Sequence, residues 1–188
     1  MATHEDVAPG IFHRLTGAIS AKGLQILSAE INTLADDLVL DRFLVVDPDF
    51  AGQPPPERFE DIRRALAESL KDRAGQTPSF RRTWKIGATG QPKMQIAKTR
   101  IEVDNASSQR FTILDIFAVD QPGLLYAITK ALFDMGLSVG RAKIGTYLDQ
   151  VVDVFYVTDA AGNKIESDTR IQQLRTRLLD VILSLAPR

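Results

Sequence analysis

The chain has 188 residues, 24 acidic and 23 basic side chains, and no cysteine. The near-zero net charge gives no general reason to expect binding to nucleic acid or to an anionic membrane. Without cysteine the chain can form no disulfide and no thiolate metal site. This length suits one large domain or two small ones, and the absence of a long apolar run fits a cytoplasmic protein.

The first part of the chain predicts a strand, a helix, a hairpin and a second helix. A short, polar strand is expected over 2–7, and its clipped length suggests a fragment of a longer protein. A helix over 10–22 follows, and β-branched runs at 24–34 and 38–46 predict a hairpin. After a proline-rich loop, apolar residues at spacings of three and four predict a helix over 57–72.

Residues 75–98 are rich in glycine and proline and predict a loop-rich connector. A basic run surrounds the single tryptophan in and beside this connector, and it consists of Arg81, Arg82, Trp84, Lys85, Lys93, Lys98 and Arg100. One interpretation is a docking surface for an acidic partner or nucleic acid. The other, which we favour, is a solvated linker whose tryptophan packs on the body of the protein. The alternating residues 99–104 predict a strand, which we assign as the fourth strand of the first unit.

The second part of the chain repeats the order of the first. A strand, a turn, a helix, two strands and a final helix are expected at 111–119, 120–123, 124–135, 138–147, 151–158 and 168–185. No strand follows the final helix, so the fourth strand of this part must be absent or supplied from elsewhere. Because an exposed sheet edge is a liability, we expect the two sheets to pair side by side or face to face, within the chain or across a homodimer.

Self-comparison shows two copies of one unit. Pro9-Gly10-Ile11 matches Pro122-Gly123-Leu124 at an offset of 113 residues (122 − 9), and beyond the hairpin turn the offset becomes 112 (153 − 41). The order of elements predicts an α+β fold with two ferredoxin-like βαββαβ units and antiparallel sheets, the second unit lacking its last strand. The predicted unit boundaries are 1–74 plus 99–104 and 105–188.

No catalytic constellation emerges from the sequence. The only histidines are His4 and His13, and His13 is expected at a surface or boundary position of the first helix. There is no Gly-Lys-Ser/Thr phosphate loop and no Gly-x-Ser-x-Gly turn. We therefore expect no metal, no cofactor and no transferase or hydrolase activity for this chain by itself.

The turn before each helix is the best candidate for a ligand site. In the second unit it consists of Asp120, Gln121, Pro122, Gly123, Leu124 and Leu125. Free N–H groups and the positive end of the helix dipole favour a carboxylate near Gly123, and Asp120 can hold an ammonium, so the two ends suit an amino acid. The alternative is that Asp-x-Pro-Gly merely caps the helix.

The first unit offers a possible second site that departs from this pattern. Its residues are Asp6, Ala8, Pro9, Gly10 and Ile11. Val7 aligns with Asp120, and Asp6 lies one residue earlier. The two sites are therefore not expected to be equivalent.

At these residues the chain resembles a tandem pair of ACT domains, which are small-molecule regulatory modules. The run D-Q-P-G-L-L-Y at 120–126 and the run V-V-D-V-F-Y-V-T-D at 151–159 are similar to the C-terminal ACT pair of bifunctional uridylyltransferase/uridylyl-removing enzymes. These enzymes act on the nitrogen-signalling PII protein. The resemblance covers nearly the whole chain and is weakest over 75–98.

The resemblance implies a regulatory role. In such enzymes a nucleotidyltransferase domain and an HD-type hydrolase domain carry the chemistry, and the ACT pair is the part expected to sense glutamine. The implied partners are glutamine, upstream catalytic domains and the PII protein. The alternatives are an ACT module that acts only in docking or dimerisation, and a regulatory tail or free-standing ACT protein that senses another amino acid.

Overall fold

The computed structural model describes residues 2–4, 10–33, 38–71, 78–80, 99–147 and 150–185. The predicted connector therefore lies outside the described residues except for 78–80. The same holds for most of the possible second site, namely Asp6, Ala8 and Pro9.

Within the described residues, unit one has three strands and two helices. They are β1 (Ala2–His4), α1 (Ile11–Ala21), β2 (Gln25–Thr33), β3 (Leu38–Val46) and α2 (Pro56–Lys71). The last helix begins at Pro56, inside the run of prolines that was predicted as loop. Proline is tolerated there because the first N–H groups of a helix have no partner within the helix.

The described part of unit two has five strands and two helices. They are β4 (Arg100–Asp104), β5 (Thr112–Val119), α3 (Leu124–Asp134), β6 (Leu137–Lys143), β7 (Thr146–Tyr147), β8 (Gln150–Asp159) and α4 (Asp168–Leu185). The single strand predicted over 138–147 is divided into β6 and β7. Between them the carbonyl of Gly145 accepts a hydrogen bond from Val152 N–H at 2.9 Å.

The eight strands named above belong to one antiparallel sheet with the order β1-β3-β2-β6-β8-β5-β4, and β7 pairs with β8. The helices pack in the order α2-α1-α3-α4. One cluster of buried side chains from both units joins the helices to the sheet. The predicted α+β fold of two ferredoxin-like units is confirmed.

The units lie side by side within the chain, which is one of the arrangements that we predicted from the sequence. The sheet is continuous because β2 pairs with β6 through Glu30 and Lys143. In the helix layer the Oγ1 atoms of Thr16 and Thr129 lie 3.3 Å apart. Both pairs are separated by 113 residues, so each residue meets its own repeat counterpart. An approximate twofold axis therefore passes through both contacts.

The assignment of 99–104 to unit one is wrong. The strand β4 pairs antiparallel with β5, Ile101 opposite Ile116, and so fills the place of the fourth strand in unit two. The segment that joins β4 to β5 is short, so pairing the two strands costs little chain entropy. Asn105 fixes the turn, because its Nδ2 donates to the carbonyl of Ile165 at 2.9 Å and its Oδ1 accepts from Thr112 Oγ1 at 2.7 Å.

Candidate functional site

Two of the cavities between the units are related by the repeat. Each is bounded by the turn before the first helix of one unit and by the second strand of the other unit. Six counterpart pairs line them: Gly10 and Gly123, Phe12 and Leu125, Ile31 and Ile144, Asp41 and Asp153, Phe133 and Ser20, and Val139 and Ile26. The sequence repeat thus places two versions of one site at the interface.

The larger cavity, here called the Gly10 cavity, has a volume of about 440 Å³. This is within the range of small-molecule sites, roughly 300–1,000 Å³. Gly10 caps α1 in a left-handed conformation with φ of 72°. Opposite, the register of β6 on β8 shifts between Val139 and Arg141. Such a bulge leaves one residue out of the ladder, and that residue, Gly140, lines the cavity.

The Gly10 cavity has side chains of opposite charge on its walls. Asp41 is only 3 % exposed, whereas Arg110 is exposed, and both line the cavity. A carboxyl group in the interior and a guanidinium near solvent match the two ends of a zwitterion.

His13 forms another part of this wall and is half-buried. Its ring centroid lies 4.8 Å from that of Phe133, and its Nδ1 is buried without a hydrogen-bond partner. Burial, assisted by the positive charges of Arg14 and Lys130 and opposed by Asp134, lowers the pKa of His13 to about 4. The imidazole is therefore neutral at pH 7, and its tautomer decides whether Nδ1 donates or accepts.

The predicted turn of unit two forms as expected, but the space beside it is small. Gly123 caps α3 with φ of 81°. The neighbouring cavity, here called the Asp120 cavity, has a volume of about 20 Å³, which is room for about one water molecule. The side chain of Gln121 is directed to α4, where its Nε2 donates to the carbonyl of Ile182 at 3.3 Å. An amino acid does not fit here in this conformation.

Phe80 covers this turn. A Cβ atom placed on Gly123 would lie 2.7 Å from two carbons of the Phe80 ring, which also packs against Tyr126 with centroids 5.5 Å apart. The N–H of Leu124 is already used within the turn, where it donates to the carbonyl of Gln121 at 3.0 Å. A ligand carboxylate at this helix end would have to displace the ring.

Two carboxyl groups meet at the Asp120 cavity. Asp153 is 1 % exposed, and burial raises its pKa to about 7, with a further contribution from the charge of Asp120 and opposition from the N–H of Gly145. Burial also raises the pKa of Asp120, against hydrogen bonds from Gln121 and Gln25. The Oδ2 atom of Asp120 is buried without a partner, so this cavity has little to stabilise two negative charges.

The sequence analysis identified the two turns but not the residues that line the opposite walls of the two cavities. Ile11 is buried against Leu15 and does not line either cavity. Asp41 and Asp153 were visible in the repeat as matched acids within apolar strands, which is an available signal for a buried polar site. Arg110 carried no such signal, because only the sheet brings it near Gly10.

We expect Gly123→Ala to lower stability more than Gly162→Ala. The two glycines have φ of 81° and 82°, but a Cβ at Gly162 meets nothing within 4 Å. The left-handed conformation costs roughly 1–2 kcal/mol in either variant, and only Gly123→Ala adds the clash with Phe80. Urea unfolding of both variants measures the difference, and equal losses would contradict the packing of Phe80 on this turn.

Comparisons with known proteins agree with the fold. A family described as "ACR9-like, ACT-like domain" matches residues 100–185, which include β4. Residues 100–185 therefore belong to the ACT-like domains. No solved structure matches it.

The curated relatives are enzymes. Proteins named bifunctional uridylyltransferase/uridylyl-removing enzyme match from Novosphingobium aromaticivorans (35 % identity, 92 % of this chain, 19 % of the relative), Gluconobacter oxydans (31 %, 94 % and 18 %) and Ruegeria pomeroyi (33 %, 100 % and 20 %). This ACT pair thus spans about a fifth of the length of the relatives it matches. Within the described ranges no helix is long and apolar enough to cross a membrane, and no cluster of three potential metal ligands occurs.

Proposed function

We propose that this ACT pair is an amino-acid-sensing regulatory region of a uridylyltransferase/uridylyl-removing enzyme and that glutamine is its ligand. The observation that carries the proposal is the Gly10 cavity, which has the size of a small-molecule site and lies between two ACT units. A ligand that contacts both units can change how they sit against each other. This is the property that a regulatory site requires.

Glutamine has three polar groups, and the Gly10 cavity has a counterpart for each. The ammonium group goes to Asp41, and the carboxylate goes to Arg110, which can bind it with two parallel N–H donors. The neutral ring of His13 is suited to the side-chain amide, because an amide offers both a donor and an acceptor. Gly10 allows the His13 ring to pack against the turn, because a Cβ at this position would lie 2.3 Å from Cε1 of that ring.

The Asp120 turn stays a prediction for a second site. Binding there needs more room than the present cavity has, and it needs movement of Phe80. In the proposal the two sites are unequal, with the site in unit one open and the site in unit two closed.

Calorimetric titration with glutamine tests the proposal. We expect Asp41→Asn to weaken binding by about 10- to 100-fold, since a hydrogen bond between charged groups contributes roughly 1.5–3 kcal/mol. We expect Asp120→Asn to have a smaller effect. The matched control is Asp115→Asn, which removes a carboxyl group that lines neither cavity. Wild-type binding by Asp41→Asn together with loss in Asp120→Asn would place the site in unit two.

A different outcome supports the second candidate function. If neither glutamine nor another amino acid produces heat of binding, the ACT pair acts in docking or dimerisation alone. The proposal extends to the longer protein: its catalytic domains carry the chemistry, PII is its substrate, and it works in the cytoplasm. That this chain has no transferase activity by itself also stays a prediction, which a uridylylation assay on PII checks.

A further inference from the structure

One face of the sheet carries the helix layer, and the described helices leave the other face open. The side chains of Phe155 and Val157 on β8 are buried in the cluster that joins the sheet to the helices. Because successive side chains of a strand point to opposite faces of the sheet, Val154 and Tyr156 lie on the face away from the helices. This face, here called the open face, extends across both units because the sheet is continuous.

The open face exposes apolar side chains in both units. Leu40 and Leu44 on β3 are 44 % and 59 % exposed, and Val152 on β8 is 42 % exposed. Leu40 is the repeat counterpart of Val152, and Leu44 is the counterpart of Tyr156, which is partly exposed. The apolar groups are therefore arranged symmetrically about the approximate twofold axis that relates the units. Exposed apolar groups that share one surface indicate a contact with another molecule.

A row of charged side chains crosses the open face between these apolar groups. The strand registers place Arg42 opposite Glu30, and Glu30 opposite Lys143. The row continues with Val154 opposite Lys143 and Asp115 opposite Val154. None of these four charged side chains forms an ion pair with another residue that the structure describes. Their charges are thus available to a molecule that covers the open face.

The two ends of this row have opposite charges. In unit two, Glu102 pairs opposite Asp115, and burial together with the negative charges of Glu102 and Asp104 raises the pKa of Asp115. The neighbouring Arg100 contacts Glu102, with Nε 2.8 Å from Oε1. In unit one the row ends at the basic Arg42. A covering molecule with charges of one sign would match only one end of the row.

We propose that the open face binds the open face of a second copy of this chain, related by a twofold axis that runs parallel to the strands at the junction of β2 and β6. Glu30 of each copy then faces Lys143 of the other. Arg42 of each copy comes to lie over Val154 of the other, next to Asp115. Sheets that pack face to face are about 10 Å apart, a gap that two long charged side chains span together.

The charges decide how the two copies are oriented. A twofold axis across the strands would place each central charge over the same charge of the other copy, which disfavours that arrangement. The axis along the strands also matches the apolar groups. Because neighbouring strands are antiparallel, Leu44 and Val152 lie on one side of the charged row, and Leu40 and Tyr156 lie on the other. Leu44 therefore meets Val152 across the interface, and Leu40 meets Tyr156.

The Leu44→Asp variant tests the interface, and the test does not depend on glutamine binding. We expect sedimentation velocity to show a dimer of the wild-type chain at about 50 µM. In Leu44→Asp the dissociation constant of the dimer should rise roughly 100-fold or more, because the symmetry buries the added carboxylate twice. The matched control is Leu183→Asp, since Leu183 is 60 % exposed but lies on α4 in the helix layer. This control should remain a dimer, and circular dichroism checks that both variants are folded.

Charge reversal at the centre of the interface gives a second test that a folding defect cannot imitate. The Glu30→Lys variant has only basic groups there, and the Lys143→Glu variant has only acidic groups. Each variant alone should dimerise about 10-fold more weakly than the wild type, because like charges then face each other. An equimolar mixture of the two restores opposite charges across the axis, so it should form mixed dimers.

Three outcomes would overturn the proposal. The first is a wild-type chain that stays monomeric, which would leave the open face to a different molecule. The second is a dimer that Leu44→Asp leaves intact, which would indicate association through another surface, such as the sheet edge at β4. The third is a mixture of the two charge-reversed variants that associates no better than either variant alone.

Discussion

At pH 8 the Asp153→Asn variant is expected to be more stable than the wild type by about 2 kcal/mol or more. The carboxyl group is 1 % exposed and has a pKa of about 7 in the fold, whereas an unfolded chain has about 3.9. Because the folded pKa is raised, the carboxyl favours folding below the unfolded pKa, and that contribution is lost as the pH rises through 7. Asparagine has no charge to bury and keeps an oxygen to accept from Gly145 N–H.

The dependence on pH distinguishes this explanation from a general packing effect. The advantage of Asp153→Asn should shrink as the pH falls from 8 to 5, where the wild-type carboxyl is protonated as well. The control is Asp159→Asn, because hydrogen bonds from Asn163 and Ala161 lower the pKa of Asp159, and this exchange should not stabilise the protein at pH 8. Urea unfolding across this range is the measurement, and a constant advantage at all pH values would contradict the prediction.

The second large effect is expected from matched truncations in the two units. Leu178→Ala removes a side chain with 0 % exposure from the common core and should cost about 3 kcal/mol, within the usual range of 2–5 for buried leucine. Its counterpart Leu66 is partly buried, so Leu66→Ala should cost about half as much. Chemical unfolding of both variants gives the comparison. Equal costs of the two truncations in the wild-type chain would show that α2 is already covered, against the exposures in the structure.

The repeat in the sequence predicted most of the architecture, because both units use the same apolar spacings and the same Pro-Gly turn. Residues 99–104 were assigned to the wrong unit because we expected a fourth strand to follow the second helix of its own unit along the chain. The pattern of a strand does not say which neighbour it pairs with, and the fourth strand of unit two precedes its first strand. The start of α2 at Pro56 was missed for a local reason, since proline breaks helices everywhere except in their first turn.

The sequence indicated only one side of each candidate site, namely the turn before the helix. The turns at Gly10 and Gly123 carry a local signal, which is a glycine with positive φ at the start of a helix. The acid on the opposite strand, Asp41 or Asp153, could have been found, because a matched acid within an apolar run is unusual. The position of Phe80 over the Gly123 turn could not have been predicted, since it depends on where residues 78–80 lie against the helix layer.

The contact between Glu30 and Lys143 also has a mechanical consequence. It is the only backbone pair between β2 and β6 among the described residues, and it lies on the approximate twofold axis. The Gly10 cavity and the Asp120 cavity lie on opposite sides of that axis, and each has one of these strands as a wall. A small rotation of the units about this pivot therefore widens one cavity as it narrows the other. If the proposed ligand binds, this geometry favours one bound ligand molecule over two, and binding changes the angle between the two units.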